Sequence, residues 1–215
     1  MNLKDIESHF RKKTQTVSDV EKFFSVFVPI VKVKDTLHVL FQVRADTLRH
    51  QPGEVSFPGG KVEKGETFLE AAIRETSEEL GVSEQNLTVF GELDSQLNSI
   101  NHMIFPFVGT IDDYENASLT LNRDEVEQIF TVPLDFFVET PPKVYKMFYQ
   151  GGMDETFPVE KIKNHEIYRN RRLSYPVYFY EYEERIIWGL TAKITKNLIK
   201  ELQRLTKEEP LEGMQ

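Results

Sequence analysis

Between Gly60 and Val82 the chain carries a segment whose part from Thr67 to Gly81 reads as an amphipathic helix with both ends marked. Thr67 followed three residues later by Glu70 has the capping-box pattern, and Gly81 stands where a glycine ends a helix. At about 100° per residue, Leu69, Ala72, Ile73, Thr76 and Leu80 share one mostly apolar face. Glu75 and Glu79 fall together on its flank and Glu78 points further outward, so the helix has a core side and an acid side. Three carboxylates near a helix C-terminus oppose the macrodipole and repel one another at i, i+3 and i+4 spacing, each effect costing about a few tenths of a kcal/mol when exposed. An isolated E-x-x-E-E is more often a solvated face. Bracketed by glycines and an arginine, it reads instead as a site for a hard cation with oxygen ligands, which would remove the repulsion.

Taken whole, the segment follows G-x5-E-x7-R-E-U-x-E-E-x-G-U, with Gly60, Glu66, Arg74, Glu75, Glu78, Glu79, Gly81 and Val82 at the fixed places. It resembles the Nudix hydrolase signature, with Thr76 where a bulky aliphatic is usual. Directly upstream stand Leu40-Phe-Gln-Val-Arg44-Ala45, Arg49, Gly53 and Phe57-Pro58-Gly59-Gly60. This second pattern resembles the coenzyme A pyrophosphatase branch of that family, departing from it at Phe41 and Gln42. The two patterns together run only from Leu40 to Val82, so the rest of the chain is read separately.

At 215 residues with 40% hydrophobic content the chain can bury one full core. It has no cysteine, which excludes disulfides and zinc-thiolate chemistry and suits a reducing, cytoplasmic setting. The N-terminal stretch has no apolar h-region, and no run approaches eighteen apolar residues, so neither a standard signal nor a membrane span is expected. A net charge of −9 argues against a nucleic-acid-binding surface. A small anionic substrate would then need local cations to reverse the overall field. The chain could act alone or as a homodimer.

Along the chain, Leu3, Ile6 and Phe10 at helical spacing suggest a helical extension over residues 1–20, followed by a single domain over 21–205 and a tail over 206–215. Phe24–Val33 and Leu37–Val43 read as a hairpin, Gly53–Gly60 as a loop, and Leu87–Leu93 and Met103–Ile111 as strands. A short helix is expected from Asp124 to Phe130, ending near Pro133, and a long insertion with little core from Pro141 to Arg172. Tyr175–Tyr182 and Ile186–Trp188 read as strands, and Leu190–Leu205 as a closing amphipathic helix. Strands interleaved with helices give α+β or α/β. The Nudix resemblance implies an α/β/α sandwich with a mixed sheet between helices.

Glu75 and Glu79, i, i+4 on one flank, are the expected principal ligands of a divalent cation, with Glu78 as an additional one. The resemblance implies Mg²⁺ or Mn²⁺, a backbone carbonyl of Gly59 or Gly60 completing the shell, and Arg74 orienting the carboxylates through Glu78 or Glu66. Arg44 and Arg49 are candidate phosphate contacts. Arg171 is another, within the basic stretch of Lys161, Lys163, Arg169, Arg171 and Arg172, because coenzyme A carries a 3′-phosphate. Trp188 is read as core, and the five histidines as structural. The base could be a helix glutamate or, outside the motif, Glu125 or Glu127; Glu125 is preferred because its stretch Asp-Glu-Val, followed by Phe130 and Pro133-Leu134, resembles a segment of the subfamily, although a carboxylate near a helix start also suits the macrodipole. The resemblance thus implies hydrolysis of coenzyme A or acyl-CoA to 3′,5′-ADP and 4′-phosphopantetheine derivatives. Hydrolysis of ADP-ribose or dinucleotides, or a catalytically silent nucleotide sensor, are the alternatives.

Overall fold

The computed structural model describes residues 2–13, 17–150, 154–165 and 172–207. Two strands form its spine, β1 (Lys22–Val33) and β2 (Thr36–Arg44), an antiparallel hairpin turned at Lys34 and Asp35, both at positive φ. Neither strand alternates between apolar and polar residues, because both of their faces are buried. Phe27, Val31 and Leu40 enter a core on one side of the sheet, while Val28, Val39 and Phe41 enter a second core on the other.

The sheet is mixed. β1 runs parallel to β7 (His102–Ile111) and antiparallel to β4 (Gly59–Lys61). β5 (Leu87–Glu92) and β6 (Gln96–Leu97) flank β7, and β2 carries β3 (Val55–Ser56) and β8 (Val126–Pro133). Helix α2 (Phe68–Leu80) covers the first face through Ala72 and Leu80. On the second face lie α3 (Leu134–Glu139), through Phe137, and α4 (Gly189–Lys207), through Ala192, Ile194 and Leu198. The result is an α+β fold with a mixed sheet between helices. A smaller antiparallel sheet adjoins it, ordered β11 (Arg185–Trp188), β10 (Arg172–Tyr182), β9 (Lys143–Gln150). The N-terminal helix α1 (Leu3–Lys12) has a capping box between Asn2 and Asp5 and buries none of its residues.

Three expectations are corrected. Residues 126–133 form strand β8, not a helix: Val126 and Val132 are fully buried opposite β2, and a ladder of seven residue pairs outweighs weak helix propensity. The helix comes one step later, after Pro133, whose fixed φ of −53° suits a helix entrance. The expected insertion from Pro141 contains a strand, Lys143–Gln150 (β9), whose large apolar side chains are exposed. Its exposed side chains on both faces erase the periodicity that would have revealed it. Gly53–Gly60 contains the short strands β3 and β4. The expected tail from 206 to 215 lies outside the described residues from 208 onward.

Candidate active site

Helix α2 forms where the sequence places it. The Thr67 hydroxyl accepts from the Glu70 amide while the Glu70 carboxylate accepts from the Thr67 amide, and Gly81 closes the helix at φ +65°. A Cβ at Gly81 would sit 2.1 Å from the carbonyl oxygen of Thr120. Thr76, which brings a hydroxyl into the apolar stripe, donates it to the Ala72 carbonyl at 2.6 Å. No buried polar group is left unpaired there.

The helix is rotated relative to the expected faces. Leu69 is 38% exposed, whereas Glu79 is only 3% exposed and points beneath the helix, not along its flank. There the Glu79 carboxylate accepts from the Gly59 amide at 2.8 Å and from Gln42 Nε2 at 3.0 Å. Gln42, one of the two departures from the upstream pattern, is therefore a partner of the acid cluster. Burial pushes the Glu79 carboxyl up to about 7; the two hydrogen bonds oppose that rise, and the charges of Glu75 and Glu125 add to it.

Glu75 sits against the strand entering the helix. A Cβ on Gly60 would fall 2.3 Å from the Glu75 carboxyl carbon, so glycine there lets the backbone approach the acid. Its pKa is raised mainly by burial, with Arg74 pulling against the rise and Glu78 and Glu125 adding to it. Arg74 reaches more partners than the two expected. Its guanidinium donates to both oxygens of Glu66 at 2.9 and 3.1 Å, to Glu75 at 2.9 Å, to Glu78 at 3.1 Å and to the Lys61 carbonyl at 3.3 Å. That bidentate contact holds the Glu66 carboxyl below the usual range. Glu78 is the most open of the acids, its side chain 56% exposed.

Glu125 lies in the turn just before β8, and is not at a helix start. That removes the macrodipole as a reason for a carboxylate there. Its backbone carbonyl accepts from the Ala45 amide at 2.9 Å, which ties the turn to the end of β2. The Glu125 charge is close enough to raise the carboxyls of both Glu75 and Glu79, so residues far apart in sequence meet at one acidic patch.

The candidate substrate contacts are less gathered. Arg44 ends β2 half-buried, with Nε 3.4 Å from the His50 carbonyl, and Arg49 is exposed in the following loop. Arg171 and Arg169 lie outside the described residues, as does the side chain of Arg172. Trp188 is only half-buried: it stacks on Phe179 at 5.6 Å on the outer face of the small sheet, not in the core. His38 is bonded to Thr36 and Thr131, in keeping with a structural part.

Among the described residues, no three acidic or histidine side chains converge as a ready cation cage. Arg74 accounts for this in part, by drawing Glu66, Glu75 and Glu78 onto one guanidinium. The donors are nonetheless suited to a hard cation. Glu75 and Glu79 are half and almost wholly buried, burial raises both their pKa values, and their mutual repulsion and that of Glu125 would be relieved by a positive ion. The patch could hold a divalent cation through carboxylate and backbone oxygens.

The NUDIX domain family matches residues 23–148. Nudix hydrolase 3 of Caenorhabditis elegans is 32% identical over 193 residues, covering 89% of this chain and 78% of that protein. A peroxisomal coenzyme A diphosphatase of Mus musculus is 39% identical over 134 residues, covering 61% of this chain and 55% of the mouse protein. The crystal structure of a MutT/nudix family protein from Enterococcus faecalis superposes with a TM-score of 0.52 at 14% identity, covering 96% of this chain and 70% of that one, a likeness of fold. Among the described residues no helix is long and apolar enough to cross a membrane.

Proposed function

The chain belongs to the NUDIX family and is a Nudix pyrophosphohydrolase, and from that premise we propose that it hydrolyses the pyrophosphate of coenzyme A or acyl-CoA to 3′,5′-ADP and (acyl-)4′-phosphopantetheine. The observation that carries the reading is the seating of two buried helix carboxyls on the glycine strand, Glu79 on the Gly59 amide and Glu75 against Gly60, with the charge of Glu125 raising both. Such a cluster is costly unless something cationic binds it. The upstream pattern from Leu40 to Gly60 and the likeness to a coenzyme A diphosphatase favour the substrate.

In this reading Glu75 and Glu79 are the principal ligands of Mg²⁺ or Mn²⁺, with Glu78 and a carbonyl of Gly59 or Gly60 completing the set. When bound, the cation would neutralise phosphate charge and lower the pKa of water. Arg74 holds Glu75 and Glu78 in place. Glu125, approaching from a separate turn, accepts the proton of the attacking water. Arg44, Arg49 and Arg171 contact phosphate oxygens. The cysteine-free chain suits a reducing compartment such as the cytoplasm. Domain limits of 21 to 205 enclose this machinery, with the N-terminal helix outside it.

The test is to incubate the pure protein with Mg²⁺ and, separately, coenzyme A, dephospho-coenzyme A, ADP-ribose and NADH, and to identify products by mass. Release of 3′,5′-ADP from coenzyme A at the highest kcat/KM supports the proposal. Preference for ADP-ribose or NADH assigns the protein to those substrates instead, and turnover of none of the four would overturn this substrate assignment.

A further inference from the structure

Strand β9 gives one edge to β10, and among the described residues no strand pairs with its other edge. A long open edge is normally blunted by charge, proline or a bulge, because its unpaired amides and carbonyls recruit another strand. Here Val144, Tyr145, Met147, Phe148 and Tyr149 are all exposed, and no proline or bulge interrupts them. Of the two lysines, Lys143 is turned back to Glu181 on its own sheet at 2.7 Å, leaving Lys146 as the only charge that could guard the edge.

We propose that β9 is the surface through which two copies of this chain pair, antiparallel, about a two-fold axis passing beside Met147. Two identical strands paired antiparallel in one sheet are related by a two-fold axis perpendicular to it, which carries each outer face onto the partner's outer face. Outer-face residues must therefore oppose outer-face residues. Tyr145 packs edge-on to Phe179, Tyr149 stacks on Tyr175, and Met147 meets the Tyr175 hydroxyl, so these three share the outer face. The axis must then pass beside a single residue. Centring on Lys146 would set it against the partner's Lys146, a repulsive pair. Centring on Tyr145 would carry Phe148 and Tyr149 past the partner's Lys143, where β9 begins, and centring on Phe148 would carry Tyr145 past the partner's Gln150, where β9 ends. With Met147 on the axis, Met147 faces the partner's Met147 and Tyr145 faces the partner's Tyr149 on both sides of it. Lys146 then lies against the partner's Phe148 on the inner face, its charge at the margin and its stem on the ring. The small sheet of each copy becomes half of one continuous sheet.

The absence of cysteine makes the register directly testable. Directly opposed residues of an antiparallel pair have Cα atoms about 4.5–5.5 Å apart, inside the disulfide range of about 4.4–6.8 Å. Full-length Met147→Cys, oxidised with copper phenanthroline, is expected to run mostly as a covalent dimer on a non-reducing gel. Tyr145→Cys and Tyr149→Cys are each expected to stay monomeric alone and to cross-link when mixed. Wild type should sediment at twice 25.1 kDa. Met147→Asp, which opposes two carboxylates on the axis, should sediment as a monomer with unchanged circular dichroism. A monomeric wild type at about 100 μM, a concentration at which even weak interfaces populate their complex, would overturn the proposal. So would Met147→Cys cross-linking no better than Phe148→Cys, or than Leu97→Cys on strand β6.

Discussion

A single buried glutamate sets much of the behaviour of the acidic patch. With a folded value of about 7 against the ordinary 4.5, Glu79 binds its proton more tightly folded than unfolded. Its stabilising contribution is thus fully present below about pH 4.5 and is lost as pH rises through about 7, up to about 3 kcal/mol in all. In chelator, the stability difference between wild type and Glu79→Gln, read from urea midpoints, should widen in favour of the variant between those limits. A constant difference from pH 4 to 8 would contradict the burial. With Mg²⁺ restored the order should invert in function: Glu79→Gln loses most divalent-dependent turnover, and Mn²⁺ raises its melting temperature less than it raises that of wild type. Glu125→Gln separates three roles in one titration of kcat against Mg²⁺. A fall of about 10²–10⁴ with unchanged metal affinity marks the base. A fall with weaker metal binding marks a ligand, and near-normal turnover returns the base to the helix glutamates. Gln42 touches Glu79 while its own Oε1 is buried with no partner. Gln42→Leu should remove the donor, raise the Glu79 carboxyl further and lower kcat through Glu79.

At the scale of elements, helix α2 and the strand before it each use a glycine where a side chain would meet a neighbour. Gly60→Ala would drive a methyl into the Glu75 carboxyl, so turnover should drop by tenfold or more while the melting temperature moves little, since Glu75 can swing outward. Gly81→Ala acts on stability instead. It adds a left-handed strain and a methyl 2.1 Å from the Thr120 carbonyl, and should cost about 1–3 kcal/mol by denaturant midpoint. Both positions were readable from the fixed glycines of the motif. Strands β8 and β9 were not. The helix-like start of Asp-Glu-Val at 124–126 is overridden by pairing with β2, and the two-sided exposure of β9 leaves no period to detect.

Across the whole molecule, the N-terminal helix stands apart from the two cores. None of its residues is buried, so removal of residues 1–13 should shift the melting temperature by less than about 2 °C and leave the activity on a small substrate intact. A larger loss would show that the helix belongs to the domain. Sequence by itself determined the α2 helix, its caps, the acids it carries and the first hairpin, because each is encoded by residues within a few turns or one strand of each other. What only the tertiary structure decided was the meeting of distant parts. The depth of Glu79 depends on how α2 rotates to bury Ala71 beside Ala72 in place of Leu69, and that angle is set by the sheet beneath. Gln42 finds Glu79 across 37 positions, and Glu125 reaches the patch only because β8 pairs with β2. Local periodicity carries no record of either contact, since both are paid for by ladder and core energies summed over the fold.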